Sequence, residues 1–559
     1  MPDSSNRAPT VTGSTEMDNV LTVRGLSITF ESAGGDVPAV DDLSFTVGRR
    51  EVLAVVGESG SGKSATAMAI LGLLPKNARV QGEVTVAGAE VVGASNRELR
   101  RLRARSISVI FQDPVTALTP VYSIGFQIRE AIRLHDPSLG RVAADARAVE
   151  LLTAVGMPDP ERRMKFYPHQ LSGGQCQRVM IAIALASDPE LLIADEPTTA
   201  LDVTVQAEVL ELLRALRERV STSIMLITHD MGVVADIADR VIVMHNGRMV
   251  EQAPTESLFG RPTQAYTREL LAAVPRIAID REVAPPREDQ AEEVLRLDDV
   301  SVTFGSALGE PVKAVRDVSL HVQRGEVVGL VGESGSGKST VGRCAAGLLM
   351  PTSGQVSVLG GSFRGRPRST RDLRRRIGVV FQSPVGSLDP KLTVGQGIGE
   401  PLRVHRGMRG RPLAERVASL LDSVGLSKNW ADRYPHEMSG GQLQRVSIAR
   451  AIALDPELII ADEPTSALDV SVQAKVLATF RALQENLGFA CLFISHNLAV
   501  VDELCNRVLV MRLGTVVEEG ATTSVLRAPA NDYTRALVAA APVPDPVEQR
   551  RRREARLER

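Results

Sequence analysis

One block of sequence occurs twice. GESGSGKS fills 57–64 and again 332–339, LSGGQ at 171–175 is answered by MSGGQ at 438–442, and ADEPTTALDV from Ala194 returns as ADEPTSALDV from Ala461. The order is kept and the offsets are nearly constant: 275 residues from Lys63 to Lys338, 267 from Ser172 to Ser439, and 267 from Glu196 to Glu463. A period this long exceeds any solenoid unit, so each copy is expected to be a complete domain. The length of 559 residues agrees, being too great for a single hydrophobic core. The expected organisation is a flexible N-terminal segment 1–19, a first domain 20–274, a linker 275–294, a second domain 295–541 and a basic C-terminal tail 542–559.

The linker, PRIAIDREVAPPREDQAEEV, is charged, contains Pro285 and Pro286 and lacks apolar periodicity. A flexible chain of that length spans about 25 Å, against a radius of gyration of about 18 Å for each domain. The halves can therefore meet face to face, and the tether favours pairing within one chain.

Composition removes several function classes. Aromatics make up 3% of the chain and the net charge is −2, so the basic, aromatic-interleaved stripe of a nucleic-acid binder is missing. No apolar run approaches the roughly 20 residues needed to span a bilayer, and the polar N-terminus lacks the layout of a secretory signal, so the protein is expected to stay where it is made. Cys176, Cys344, Cys491 and Cys505 lack ligand spacing and read as buried thiols of a reducing cytoplasm.

In each half an apolar strand (VLAVVG, then VVGLVG) runs into Gly-x4-Gly-Lys-Ser and then into a helix-compatible segment. That context makes the glycines a phosphate loop, whose backbone N–H groups turn inward toward phosphate oxygens at a helix start. The expected nucleotide contacts are Gly57, Ser59, Gly60, Gly62, Lys63 and Ser64, with Gly332, Ser334, Gly335, Gly337, Lys338, Ser339 and Thr340 in the second half. The lysines supply charge for the β- and γ-phosphates, and Ser64 and Ser339 are placed for Mg²⁺. Downstream, LLIADE and LIIADE end in paired carboxylates. Asp195 and Asp462 are assigned to the metal, and Glu196 and Glu463 to the general base for an attacking water. Alternation puts adjacent side chains on opposite faces unless the strand is ending; at the carboxyl edge of a parallel sheet one can reach Mg²⁺ while its neighbour addresses the water.

With these residues together, the chain resembles the ATP-binding-cassette ATPases over nearly all of both halves. The resemblance implies an α/β fold of two tandem P-loop ATPase domains, each a RecA-like core with an antiparallel β subdomain and a helical signature subdomain. It also implies head-to-tail pairing, in which each ATP lies between one phosphate loop and the other half's signature: Lys63 with Ser439, Gly440, Gly441 and Gln442, and Lys338 with Ser172, Gly173, Gly174 and Gln175. By the same resemblance, Gln112 and Gln382 sense Mg²⁺ and the γ-phosphate, His229 and His496 are switch histidines, and Asp202 and Asp469 belong to the loop crossing the pair. Phe30 and Phe304 are candidates to stack on adenine, although an aromatic ending an alternating strand is as often a core residue. Both halves keep lysine, glutamate, signature and histidine, so two hydrolysis-competent sites are expected. One internal difference bears on how the signature helix packs: Ile183 stands where the second half has Arg450.

FQDPVTALTP and FQSPVGSLDP, YPHQLSGGQ and YPHEMSGGQ, and the late Pro262…Tyr266-Thr267 and Pro529…Tyr533-Thr534 elements look like the peptide, nickel and glutathione importer branch. That likeness implies an ATP- and Mg²⁺-dependent subunit on the cytoplasmic face of the plasma membrane (the cell inner membrane). It would drive two permease subunits fed by an external solute-binding protein, with di- or oligopeptides the leading solute. Some members carry a cysteine cluster for an iron–sulfur centre after the cassette; this chain does not, and no such centre is expected. The alternative is a soluble tandem ATPase acting on ribosomes or DNA. The short linker and the absent zinc-type cysteine spacing count against it, and a drug exporter would fuse membrane spans to the cassette. The Arg550–Arg559 end reads as a solvated tail, with contact to anionic lipid as the other reading.

Overall fold

The computed structural model describes residues 19–32, 34–198, 201–277, 292–305, 311–364, 367–466 and 468–557. The expected N-terminal segment up to residue 18 and linker residues 278–291 lie outside the described residues. The chain divides into two compact units, the first closing at Thr267; the second takes the remainder and two short stretches of the first half.

In the first unit, strands Val37–Gly48, Asn19–Phe30, Ala78–Val86 and Ala89–Glu90 form an antiparallel sheet in that spatial order. Burial alternates along Asn19–Phe30, as a sheet with one covered face requires. A second sheet runs Arg248–Pro254, Arg240–His245, Val52–Val56, Ser223–Ile227, Leu191–Asp195, Ile107–Ile110. It is parallel except at the Arg248–Pro254 edge. Its central strands VLAVV, SIMLI and LLIAD are buried at every residue, the pattern of parallel strands covered on both faces.

The second unit repeats this plan. Strands Val312–Gln323, Glu293–Phe304 and Ser353–Val358 make the antiparallel sheet, and the six-stranded sheet runs Ile377–Val380, Leu458–Asp462, Ala490–Ile494, Val327–Gly332, Arg507–Arg512, Thr515–Ala521. In both units the phosphate-loop strand lies between strands that come much later in the chain. Such a reversal of strand order opens a crevice at the carboxyl edge.

The helix after each phosphate loop lies in the core between the two sheets. Ala67 and Ile70 of helix Lys63–Ile70 pack with Leu21, Ile28 and Val84 of one sheet and Leu53, Ile193 and Met225 of the other. Val341, Cys344 and Ala345 of helix Lys338–Ala345 do the same between Leu295, Val302 and Leu320 and Leu330, Ile460 and Leu492. Helices Ile124–His135, Arg141–Ala154 and Gly173–Ala184, with counterparts Val394–Arg406, Gly410–Ser423 and Gly440–Ala451, supply the helical part of each unit. All four cysteines are buried thiols, and burial pushes Cys344 up to about 11.

The C-terminal end differs from the solvated tail expected. Pro546–Leu557 is a helix whose start is capped by Asp545, which accepts from the Val547 and Glu548 N–H groups at 2.9 and 3.0 Å. Glu548 pairs with Arg551 and Arg552 at 2.9 Å each, and Gln549 is buried, accepting from the Val543 N–H at 3.0 Å. The basic run thus belongs to an anchored helix.

Phe493, fully buried in strand Ala490–Ile494, meets Phe480 edge-on at 5.9 Å. Phe493→Ala is expected to destabilise the second unit by about 3–5 kcal/mol. Calorimetry that resolves the unit's transition should show a lower melting temperature; an unmoved transition would contradict this core assignment.

Candidate active site

Each phosphate loop is shaped by glycine where no side chain fits. A Cβ on Gly57 would stand 2.2 Å from the Met244 carbonyl oxygen, and one on Gly332 equally close to that of Met511. The loop then turns into its helix through Gly62 or Gly337, left-handed at φ 96° and 102°. The lysine that opens the helix folds back over the loop. Lys63 Nζ donates to the carbonyls of Gly57 and Glu58, both at 2.8 Å; Lys338 Nζ donates to those of Gly332 and Glu333 at 2.8 and 2.7 Å. Burial lowers the Lys338 ammonium from its ordinary range, against the raising influence of Glu463 and other carboxylates.

Four adjacent parallel strands deliver the other groups to the same edge. Ser64 Oγ donates to Asp195 Oδ1 at 3.4 Å, and Ser339 Oγ to Asp462 Oδ1 at 3.0 Å. Burial pushes both aspartates above the usual carboxylate range, and the serine hydrogen bonds oppose it only in part. A carboxylate held out of water beside a hydroxyl is a fitting place for a hard divalent cation. Among the described residues no group of three or more His, Cys, Asp and Glu forms a protein-only cage. An oxygen set this small suits Mg²⁺ completed by substrate phosphates. Gln112 and Gln382, also assigned to the metal, would contribute an amide oxygen.

The next residue turns away. Glu196 and Glu463 adopt φ 49° and 47°, a left-handed conformation costing a non-glycine residue about 1 kcal/mol or more. Each turn is pinned by the glutamate's own N–H, donating to Ile227 O at 2.8 Å or Ile494 O at 2.9 Å. The strand ends here, so aspartate and glutamate face different partners. Glu196 accepts from Gln112 Nε2 at 2.7 Å and lies 3.1 Å from His229 Nδ1; Glu463 accepts from Gln382 Nε2 at 3.1 Å and lies 3.2 Å from His496 Nδ1. Burial alone would raise Glu463, but the hydrogen bond and charge of His496, with Lys338, outweigh it and hold the carboxyl below its ordinary range. An ionised, hydrogen-bonded carboxylate beside a lysine-bearing loop can take a proton from water.

The signature is a helix start. Ser172 Oγ accepts from Gln175 N at 3.3 Å while Gln175 Oε1 accepts from Ser172 N at 3.3 Å; Ser439 and Gln442 repeat this at 3.4 and 3.0 Å. SGGQ is therefore a capping box. A Cβ on Gly441 would strike Val472 Cγ1 at 2.1 Å, whereas one on Gly173 would meet open space. The second glycine of MSGGQ serves packing, and the first glycine of LSGGQ leaves room above the helix end.

Two further expectations divide. Asp202 caps helix Val203–Val220, accepting from Thr204 Oγ1 at 2.6 Å and Val205 N at 3.0 Å, while Asp469 makes no side-chain cap bond to helix Val470–Leu487. Phe30 packs in part against its unit's core, as the core reading allows, and Phe304 is 44% exposed. One contact escaped sequence reasoning. Tyr533 Oη accepts from the Glu333 N–H of the second phosphate loop at 3.3 Å, under the Arg512 guanidinium. Burial raises this phenol to about 12, so it stays neutral.

The family model described as "ABC transporter" matches residues 40–199 and again 315–466. The chain belongs to the ABC transporter family. Hydrolysis of ATP coupled to transport is that family's activity and this chain's. A model of the oligopeptide/dipeptide transporter C-terminal region matches 250–302 and 517–558, covering both Pro…Tyr-Thr elements and the C-terminal helix. Relatives of this ABC transporter protein match at full length. The oligopeptide transport ATP-binding protein OppD of Mycobacterium tuberculosis is 43% identical, the match covering 95% of this chain and 99% of the relative. The peptidoglycan transport ATP-binding protein YejF of Agrobacterium fabrum is 47% identical over 94% and 97%. The glutathione import ATP-binding protein GsiA of Salmonella typhimurium is 45% identical over 97% and 92%.

Gly332→Ala puts a methyl group against the Met511 carbonyl and is expected to weaken nucleotide binding at that loop by about tenfold or more. Titration with a fluorescent ATP analogue measures it; wild-type affinity there would mean that the loop does not hold phosphate.

Proposed function

We propose that this chain is the ATP-hydrolysing subunit of an importer for di- or oligopeptides. It would act on the cytoplasmic face of the plasma membrane through two separate permease subunits fed by an external solute-binding protein. The observation that carries the importer reading is the full-length match, over 94–97% of the chain, to three proteins named for transport of oligopeptides, peptidoglycan and glutathione. Among the described residues no helix is long and apolar enough to cross a membrane, so the pore is assigned to other subunits. None of these relatives is named for work on ribosomes or DNA, and no observation favours that alternative.

The proposed chemistry follows from the strand-edge geometry. Lys63 and Lys338 leave their loop carbonyls for the phosphates, and the loop N–H groups orient the β–γ linkage. Ser64 and Asp195, or Ser339 and Asp462, with Gln112 or Gln382, would hold Mg²⁺, which would supply positive charge for the phosphate oxygens when bound. Glu196 or Glu463 accepts a proton from water as its oxygen bonds to the γ-phosphorus and the bond to the β-phosphate oxygen breaks, giving ADP and phosphate. Gln112 with His229, and Gln382 with His496, orient the glutamate. We assign each nucleotide to a composite site closed by the other half's signature, Ser439 to Gln442 over Lys63 and Ser172 to Gln175 over Lys338. The open space above Gly173 suits a γ-phosphate at a helix N-terminus. A ligand shared across the pair binds the closed form better than the open one, and that difference drives closure.

Purification of the wild type and of Glu196→Gln/Glu463→Gln from membranes tests both parts. The variant is expected to bind ATP but turn over slower by about two orders of magnitude or more, the scale of a lost general base, and both proteins should come with multi-span permeases. Retained turnover would sink the base assignment, and recovery with ribosomes or nucleic acid the importer.

A further inference from the structure

The difference between Ile183 and Arg450 belongs to a set of three. In the second unit Arg450, near the end of helix Gly440–Ala451, donates from Nη1 to the carbonyl oxygen of Ser387 at 2.5 Å. Ser387 closes the short helix Pro384–Ser387, which begins two residues after Gln382. Its hydroxyl lies 3.5 Å from that of Ser447, itself fully buried on the signature helix, and also donates to the Pro384 carbonyl at 3.0 Å. The Arg450 guanidinium is largely desolvated; burial lowers its pKa, with Glu400 opposing. Arginine stays charged in such a place, so its carbonyl bond offsets a real desolvation penalty.

The corresponding residues of the first unit are Ala117, five after Gln112, and Met180 and Ile183, eight and eleven after the signature serine. The same two elements, helix Pro114–Ala117 and helix Gly173–Ala184, are neighbours there. Where the second unit has serine, serine and arginine, the first has alanine, methionine and isoleucine, none of which carries an N–H or O–H donor on its side chain. A hydrogen bond to a carbonyl fixes direction and distance, while apolar contact fixes neither.

We propose that Arg450 is a positioning residue that fastens the segment after Gln382 to the signature helix, so that in the second unit these two parts of the ATPase move as one piece. In the first unit the same neighbouring helices carry none of these three side-chain donors, and they shift against each other. The two halves of the fused chain are then unequal transmitters, although both keep the groups that hydrolyse ATP. The inference rests on reading the glutamine segment and the signature as parts of the nucleotide sites.

Hydrogen exchange on the full-length chain, with ATP hydrolysis assayed on the same samples, tests it. Arg450→Ile is expected to speed exchange at residues 385–389 by about tenfold or more, toward the rate at 115–119, without change in strand Leu458–Asp462. Arg450→Lys, which keeps a donor, should restore much of the protection. The reciprocal Ala117→Ser/Met180→Ser/Ile183→Arg chain should slow exchange at 115–119, and this decides the matter if Arg450→Ile does not fold. Unchanged exchange at 385–389, or a rise spread evenly through the second unit, would overturn the proposal while leaving the ATPase reading intact. A wild type that neither binds nor hydrolyses ATP would overturn that reading and leave the fastening in place.

Discussion

Each active edge depends on a buried apolar strand that stops and hands its last residues to a polar crevice. Strands Leu191–Asp195 and Leu458–Asp462 are too deeply covered to carry a charged side chain along their length. Their carboxylates are possible only at the carboxyl end, where the left-handed turns at Glu196 and Glu463 separate two neighbouring acids into two environments. One, against the serine of the phosphate-loop helix, is raised by burial. The other, between glutamine and histidine, remains ionised in the second unit because its partners outweigh burial. Two acids of similar intrinsic strength thus acquire different environments, because the turn gives each its own burial and its own partners.

Pinning the phosphate-loop helix between the two sheets of each unit gives that edge its rigidity. The same close packing explains why glycine stands at Gly57 and Gly332, where backbone from the adjacent strand leaves no space for a Cβ. Around these repeated groups the halves diverge in how the parts are connected: Asp202 is engaged as a helix cap and Asp469 is not, and Arg450 makes a bond that Ile183 cannot. A duplicated chain can keep two chemical centres alike while changing the links between them.

Much of this was legible in sequence. The phosphate loops, paired carboxylates and signatures are short local patterns, and their repetition gave the two-domain plan. Different partners for Asp195 and Glu196 at a strand end were expected, but the left-handed turn at Glu196 that produces them was not readable, because nothing in a glutamate signals a positive φ. SGGQ carried a capping-box spacing, Ser-x-x-Gln, whose structural role was hidden behind its expected contact with phosphate. Asp545-Pro546 held a helix-start signal that the arginine run obscured. Contacts between distant residues left no local trace: Tyr533 to Glu333 spans 200 positions and Arg450 to Ser387 spans 63.

Each half carries its own phosphate loop against its own paired carboxylates, so one chain is expected to bind two nucleotides. Counting ATP bound at saturation per molecule of the hydrolysis-impaired Glu196→Gln/Glu463→Gln protein tests it most directly. Two per chain is the predicted value; one per chain would mean that only one of these matched edges binds nucleotide.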